Sequence, residues 1–552
     1  MRDPFFSQPD SRTRWIALAL LILAVCALYG PFLNNPLVFD DFNFFNSDDH
    51  TQFVDKLFSF DLRWLPNASF EWPRRLIKQD MIPQRGINLG LHCANALLLI
   101  GVLHALLQLS GYTQRRVEDG VSLAPWWMAY FAALLFAMHP AAVYAVAYLV
   151  QRTSLLAGFF TLLMWLALLR GLASGKTLPL LASVVAYALA TLCKEHAIMA
   201  PAVAGAIVLL GWRSGRLDKQ RWKRLALVFA LYAGVALYIV YKLKSANIIG
   251  NAYQANGRAM LLEYARRDPG FDMARAFPLS MLTQTCLYFK YLLVWALPLP
   301  AWMSVDMIEA FALHFVSWRL AGLGLFLLYP LAALALLWRG GRTGLFGLAM
   351  LCPWLMFLTE VSTVRIQEIF VLYRTYLWMP VALLAVPLAM DRIKARRAAV
   401  LLLMLTAVLV PLSYARLQTF THHLLLWDDA ARLATESIEH QGMERIFKNR
   451  ALAFLELKQY DAAIEDNTTA IRQSPTDFIA HNNRGATYFE MGRYQLAMAD
   501  YNKALQLHPA YTLSYLGRAR TLEALGNKPA ALEDYKSACR GGYKPACDIK
   551  LR

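Results

Sequence analysis

Two carboxylates stand side by side in Phe39-Asp40-Asp41-Phe42, a few residues beyond the first long apolar stretch, 15–33. A desolvated charge is costly unless it is paired or used. Adjacent acids at a lipid boundary therefore point to proton-transfer work, in which a carboxylate takes the proton of an attacking hydroxyl. The plainer reading is a loop start that caps a helix from Phe42 onward. Further ionisable residues stand at the ends of apolar stretches: His139 before Pro140, Arg152, the trio Lys194-Glu195-His196, and Arg374. Two acids and several cations in one cavity would suit a substrate that is half lipid and half phosphate-sugar. Singly, each has a simpler reading. Lys194-Glu195 makes an interfacial ion pair, His139 ends a helix, and Arg152 and Arg374 reach lipid phosphates.

The elements that must position these residues are membrane spans. The chain has 552 residues, 58% of them hydrophobic and only 17% charged, which is the composition of a polytopic membrane protein. The first stretch has a short basic head (Arg2, Arg12, Arg14) and no small-residue cleavage site, so it reads as an uncleaved helix. A net charge of +17 invites a nucleic-acid partner, but the bases cluster in short loops between apolar stretches, as topology signals do. Spans are expected near 15–33, 87–109, 125–139, 153–172, 177–193, 197–212, 225–243, 319–338, 344–359, 375–390 and 398–415, eleven in all. The basic turns Arg115-Arg116, 170–176, 213–224, 339–342 and 392–397 should face the cytoplasm. That places Asp40, Asp41 and the listed cations outside it. Residues 280–316 hold an apolar stretch, Leu282 to Pro298, that could span once; a re-entrant or interfacial pair of short helices broken at Pro298 and Pro300 would preserve this parity and is the preferred reading.

Residues 1–416 thus form a membrane-embedded domain, 417–444 a juxtamembrane half-repeat, and 445–552 a water-soluble repeat domain. A shift of 34 residues aligns Ala451, Gly485 and Ala519, and likewise Ala463, Ala497 and Ala531, and Ala470, Ala504 and Ala538. This is the tetratricopeptide period: two helices per unit, small residues where helices touch. Three units are expected, stacked as an α-solenoid. Seven cysteines are too few and scattered for a disulfide framework or a zinc site. Cys539 and Cys547, eight apart in the tail, are either a staple at the end of the stack or two packed thiols. Asn67-Ala68-Ser69 and Asn467-Thr468-Thr469 match the common glycosylation pattern. Arg258, Arg266, Arg267 and Arg275 fall in a long outer loop and read as mostly solvated.

Leu37-Val38-Phe39-Asp40-Asp41-Phe42 resembles the first-loop acidic signature of GT-C glycosyltransferases. Arg85 to Leu98 (RGINLGLHCANALL), with His92 and Asn95 three apart, is similar to the second-span signature of the transmembrane-and-tetratricopeptide O-mannosyltransferase family. Leu135 to Leu156 resembles that family's His-Pro segment, with Tyr144 where the animal proteins carry Glu. Leu192 to His196 and Tyr373 to Leu377 resemble its Lys-Glu and Arg-x-Tyr-Leu elements. The size and three repeats look more like the bacterial branch, where the sugar differs from mannose in some lineages. The resemblance implies an all-α, GT-C-like bundle of about eleven spans and an inverting transfer from a polyprenyl-phosphate-linked sugar to a protein hydroxyl. It implies Asp40 as general base and Asp41 orienting acceptor or sugar. Arg152, Lys194, Glu195 and Arg374 would bind the donor, with His139 as helper, and the repeats would recruit the acceptor protein. Redox cofactors are not required, and Asp40 and Asp41 alone offer oxygen ligands should a divalent cation assist. The implied location is a bacterial inner membrane with site and tail in the periplasm, or the lumenal side of the endoplasmic reticulum in a eukaryote. The competing readings are a non-catalytic envelope-assembly scaffold and glycosylation of a lipid or polysaccharide.

Overall fold

The structure is a computed structural model that describes residues 7–46, 61–77, 81–117, 120–217, 222–252, 257–315, 318–434 and 443–549. The described residues are almost wholly helical, with one small hairpin, Arg116–Val117 against Gly120–Val121. The chain divides into two compact units, Met1–Val305 with Phe311–Phe420, and Asp306–Ala310 with Thr421–Arg552.

Among the described residues of the first unit, eight helical stretches are long and apolar enough to cross a membrane: Ser11–Phe32, Met81–Leu109, Leu149–Ser174, Glu195–Arg213, Trp222–Ser245, Arg319–Trp338, Gly341–Ser362 and Ala395–Thr419. A further pair, Pro125–Ala137 and Pro140–Val146, is bent by 64°. The break is local chemistry. His139, just before Pro140, is extended (φ −77, ψ 130), because a residue preceding proline is pushed out of the helical region. Thr177–Cys193 and Pro380–Ala389 are apolar but shorter. Each of these helices lies on one of the eleven expected stretches, but among the described residues only eight, or nine with the bent pair, are long and apolar enough to cross a membrane.

The stretch 280–316 takes a different form from the two short helices expected. Residues Ala276–Ala296 make one continuous helix. Pro278 lies in its first turn, where proline is tolerated, and Pro298 and Pro300 follow its end instead of breaking it. Ser280 near its start bonds Thr363 and Arg365, and Trp295 near its end stacks on His139 at 4.2 Å. The chain then returns through Met303, whose carbonyl accepts from Tyr144 and Arg416.

The basic turns meet at one end of this unit. Arg213 donates to the Trp338 carbonyl, Arg224 to that of Gly175, and Arg342 and Arg115 pair with the fully buried Asp391 at 3.0 and 3.4 Å. Helices leaving those turns, such as Ala200–Arg213 and Gly341–Phe357, have their other ends beside Lys194 to His196 and Glu360. Acids and cations of the expected site therefore lie at the end opposite the basic turns.

The second unit holds helix pairs Met443–Glu456 with Tyr460–Gln473, Phe478–Glu490 with Tyr494–Leu507, and Thr512–Ala524 with Lys528–Arg540. The aligned alanines 463, 497, 531, 470, 504 and 538 have no exposed surface. A Cβ on Gly517 would sit 2.3 Å from the Tyr501 ring, so glycine is what admits that ring between repeats. The turn within each pair has positive φ at the same 34-residue spacing, at Lys458 (58°), Gly492 (72°) and Gly526 (81°). Each pair is bolted by a bidentate Arg–Asp contact: Arg450 to Asp466, Arg484 to Asp500 and Arg518 to Asp534, all at 2.7–2.9 Å. Cys539 and Cys547 are joined as a disulfide. The expected half-repeat appears as helix His423–Ala434, and residues 435–442 of it lie outside the described residues, as does the side chain of Arg267.

Candidate functional site

Asp40 opens the short helix Asp40–Asn46, and its side chain is exposed. The residue before it, Phe39, has φ 51°, a left-handed conformation that costs a non-glycine residue roughly 1–3 kcal/mol and marks a constrained loop. The constraint comes from Asp41. Its buried carboxylate accepts the Val38 amide at 3.2 Å and the Val150 amide at 2.9 Å, tying the loop before Asp40 to the loop that follows Tyr148. Burial pushes the Asp41 carboxyl up to about 7, against the opposing pull of the Val150 amide and Arg85. The Asp40 amide donates to the Tyr148 hydroxyl at 3.2 Å, and the Phe39 ring lies 5.4 Å from the Tyr148 ring.

Tyr148 leads to the cations. Its ring meets Tyr373 edge-on at 6.1 Å, and Lys194 Nζ lies 4.9 Å from the Tyr373 ring centre. Lys194 is 7% exposed and donates to Ser154 Oγ at 2.7 Å and Gln151 Oε1 at 3.2 Å. Among the described residues no carboxylate lies within ion-pair distance of it. Burial, reinforced by Arg63, lowers its ammonium to about 7. Glu195 is held bidentate by Arg63 at 2.7 and 3.3 Å. Behind them Glu360, with no exposed surface, gathers three partners: His196 at 2.9 Å, Arg374 at 3.1 Å and Arg365 at 3.3 Å. Arg374 also donates to Glu368 at 3.1 Å, and Glu368 accepts from the Tyr373 hydroxyl at 3.2 Å.

The structure thus connects Asp40, Asp41, Lys194, Glu195 and Arg374 through one chain of contacts. It sets two other expected residues apart. Each guanidinium nitrogen of Arg152 is already bonded, to Asn88 Oδ1, the Ser69 carbonyl, and the Gln84 carbonyl and side chain, and the group lies 3.8 Å over Phe70. His139 accepts from the Ala141 amide through Nδ1 and bonds the Trp295 carbonyl through Nε2. Both residues are occupied in holding the framework. The Tyr144 hydroxyl donates to the Met303 carbonyl at 2.9 Å. The segment Arg85 to Leu98 is likewise framework: Arg85, Asn88, His92 and Asn95 line one helix face and bond the carbonyls of Ala147, Leu149, Ala137 and Leu155. His92 and Asn95 also share the Tyr376 hydroxyl, at 2.9 and 3.0 Å.

Glu360, Arg365, Glu368, Tyr148 and Arg63 were not among the expected residues. Glu360 and Arg365 carried a usable signal, since both lie in the short link after the apolar stretch 344–359 on the side of Asp40. Among the described residues no three His, Cys, Asp or Glu side chains are grouped to hold a metal ion.

Comparison with known proteins identifies the repeats. The tetratricopeptide repeat family matches residues 478–511, and a second description of the repeat matches 451–492. The tail is a tetratricopeptide stack. Such stacks bind protein partners, and this one is a protein-interaction module. Solved structures similar to the chain include the first tetratricopeptide domain of Spaghetti (RPAP3) bound to an HSP90 peptide, at 25% identity over 18% of this chain and 79% of that one, with a TM-score of 0.18. MamA is similar at 21% identity over 22% of this chain and 72% of its own, with a TM-score of 0.20. No curated protein sequence matches the chain.

Proposed function

We propose that the chain is a membrane glycosyltransferase that moves a sugar from a polyprenyl-phosphate donor to a hydroxyl of a protein acceptor, on the side away from the cytoplasm. The observation that carries this reading is the exposed Asp40, whose backbone amide bonds Tyr148, linked through the Tyr148 and Tyr373 rings to buried Lys194, which has no carboxylate within ion-pair distance among the described residues. The first unit supplies a base facing solvent and a cation at a lipid boundary. The tetratricopeptide unit supplies a means of recruiting a protein acceptor.

In this mechanism the acceptor oxygen attacks the anomeric carbon from the face opposite the phosphate, and the configuration inverts. Asp40 takes the hydroxyl proton as the new C–O bond forms. The bond between the anomeric carbon and the phosphate oxygen breaks, and the polyprenyl phosphate leaves with the electron pair. Lys194 faces the charge on that departing phosphate. Arg374 and Glu195, already paired with Glu368, Glu360 and Arg63, hold Tyr373 and Lys194 in place. Arg152 and His139 serve the framework.

Two features support the orientation. The basic turns gather at the end remote from Asp40, as the charge rule requires of a cytoplasmic face. The Cys539–Cys547 disulfide suits an oxidising compartment for the tail, such as a periplasm. The test is the intact mass of extracytoplasmic proteins from cells with and without this chain. A sugar-sized mass present only with the chain is expected; identical masses would remove the proposal and leave a membrane-anchored scaffold.

A further inference from the structure

Asp40 is the first residue of the short helix Asp40–Asn46, so its aim depends on the loop that leads into it. The loop 36–39 leads directly into Asp40, and the stretch 147–150 carries Tyr148, whose hydroxyl accepts the Asp40 amide. A single buried guanidinium touches both. Arg85 Nη2 donates to the Pro36 carbonyl and Nη1 to the Ala147 carbonyl, each at 2.7 Å, and the residue is 4% exposed. Asp41 does the complementary thing with the opposite charge, accepting the amides of Val38 and Val150. A cation on two carbonyls and an anion on two amides therefore bridge the same pair of loops.

We propose that Arg85 is a positioning residue for Asp40. With Asp41 it forms a cross-brace that fixes the loop leading into Asp40 and the stretch that carries Tyr148. The brace also explains why Phe39 persists at φ 51°, since its neighbours on both sides are anchored and its ring is held on Tyr148. Arg85 is matched to the task by shape: only a planar fork reaches two carbonyls on separate loops at once. The ammonium of a lysine would satisfy one and release the other. As an aid to catalysis the inference rests on the proposed glycosyl transfer, but the brace itself does not.

The experiment uses the full chain in lipid nanodiscs, as wild type, Arg85→Lys, Arg85→Gln, and Arg85→Ala with and without added guanidinium ion. Hydrogen exchange at the Val38 and Val150 amides is read first. Both amides should exchange at least about tenfold faster in Arg85→Gln, together, while amides within Met81–Leu109 stay at wild-type rates. Unchanged exchange, or loosening of one loop alone, would overturn the brace. Transfer from a polyprenyl-phosphate sugar to a peptide is read second. A loss of about 100-fold in kcat is expected with donor KM within twofold, as a base misplaced by about 1 Å would give. The acidic limb of the pH–rate profile should shift, and guanidinium should restore Arg85→Ala. A wild type that transfers, with Arg85→Gln matching it in kcat and pH profile, would overturn the positioning role. A wild type that never transfers, while both amides loosen as expected, would sink the glycosyltransferase reading and leave the brace standing. Should Arg85→Gln fail to fold, Arg85→Lys is read in its place: it keeps one tie, so faster exchange at one of the two amides is expected, and wild-type exchange at both would overturn the brace.

Discussion

Glu360→Gln should destabilise the membrane unit severely for a change of so few atoms. Glu360 has no exposed surface and is the common partner of His196, Arg374 and Arg365, at 2.9, 3.1 and 3.3 Å. Glutamine preserves the volume and one acceptor oxygen but removes the charge. Arg374 keeps its second carboxylate, Glu368, yet both buried guanidiniums lose the anion between them. Breaking a buried ion pair from one side costs about 3–5 kcal/mol, because the abandoned charge stays desolvated. At about 2 °C per kcal/mol for a large domain, the melting temperature should fall by about 6–10 °C. The assay is thermal unfolding in detergent followed by tryptophan fluorescence, for which the chain's 15 tryptophans give ample signal. Glu368→Gln is the control: that side chain is 37% exposed, and its loss should shift the melting point by less than about 2 °C. A Glu360→Gln protein melting within about 1 °C of wild type would show that the buried cluster is not the electrostatic centre its geometry describes.

Asp41 gives the pH dependence. Its folded value, about 7, stands above its ordinary 3.8, so between those values the folded chain holds one proton that the unfolded chain has released. Stability from this group is complete below about pH 4 and is lost as the pH rises through about 7, by an amount of order 4 kcal/mol. Melting temperatures at pH 5 and pH 8 should differ more in wild type than in Asp41→Asn; equal differences would refute the assignment. In the repeat stack, Arg484→Ala removes both bonds to Asp500 and one to Thr468, and should cost about 1.5–3 kcal/mol. Arg484→Lys should recover less than half of it, because an ammonium does not span two carboxylate oxygens. Faster proteolysis of residues 478–511 reports the change; wild-type resistance in Arg484→Ala would contradict it.

Much of the architecture was legible because it is written in periodic or compositional signals. Alanines and glycines 34 residues apart are read directly as helix contacts, and the same period holds the Arg450, Arg484 and Arg518 pairs with their aspartates. The turn at Lys458 was silent, since its left-handed backbone carries no glycine there. The apolar run Leu282 to Pro298 left a single helix and a broken pair both open, and Pro298 and Pro300 favoured the pair because they look like internal breaks until the chain is seen to end its helix before them. The site was less legible for a physical reason. Arg152 and Lys194 are both buried cations at the ends of apolar helices, and only tertiary contacts separate one with every guanidinium nitrogen bonded from one held by Ser154 and Gln151 beside Tyr373. Glu360 and Arg365 sit in a link whose sequence says nothing of His196, more than 160 residues away. Asp40 and Asp41 are neighbours with divided labour, and no local signal shows which is exposed and which is tied to two amides.

The most direct test of the central claim is transfer by the purified chain carrying Asp40→Asn, with a polyprenyl-phosphate sugar and an acceptor peptide, the product counted by mass. An unaltered melting temperature with transfer reduced at least about 100-fold is the expected result, since the exposed Asp40 carries no framework contact through its carboxylate among the described residues. Transfer at the wild-type rate would contradict the account, because no proton acceptor would then be needed where Asp40 stands.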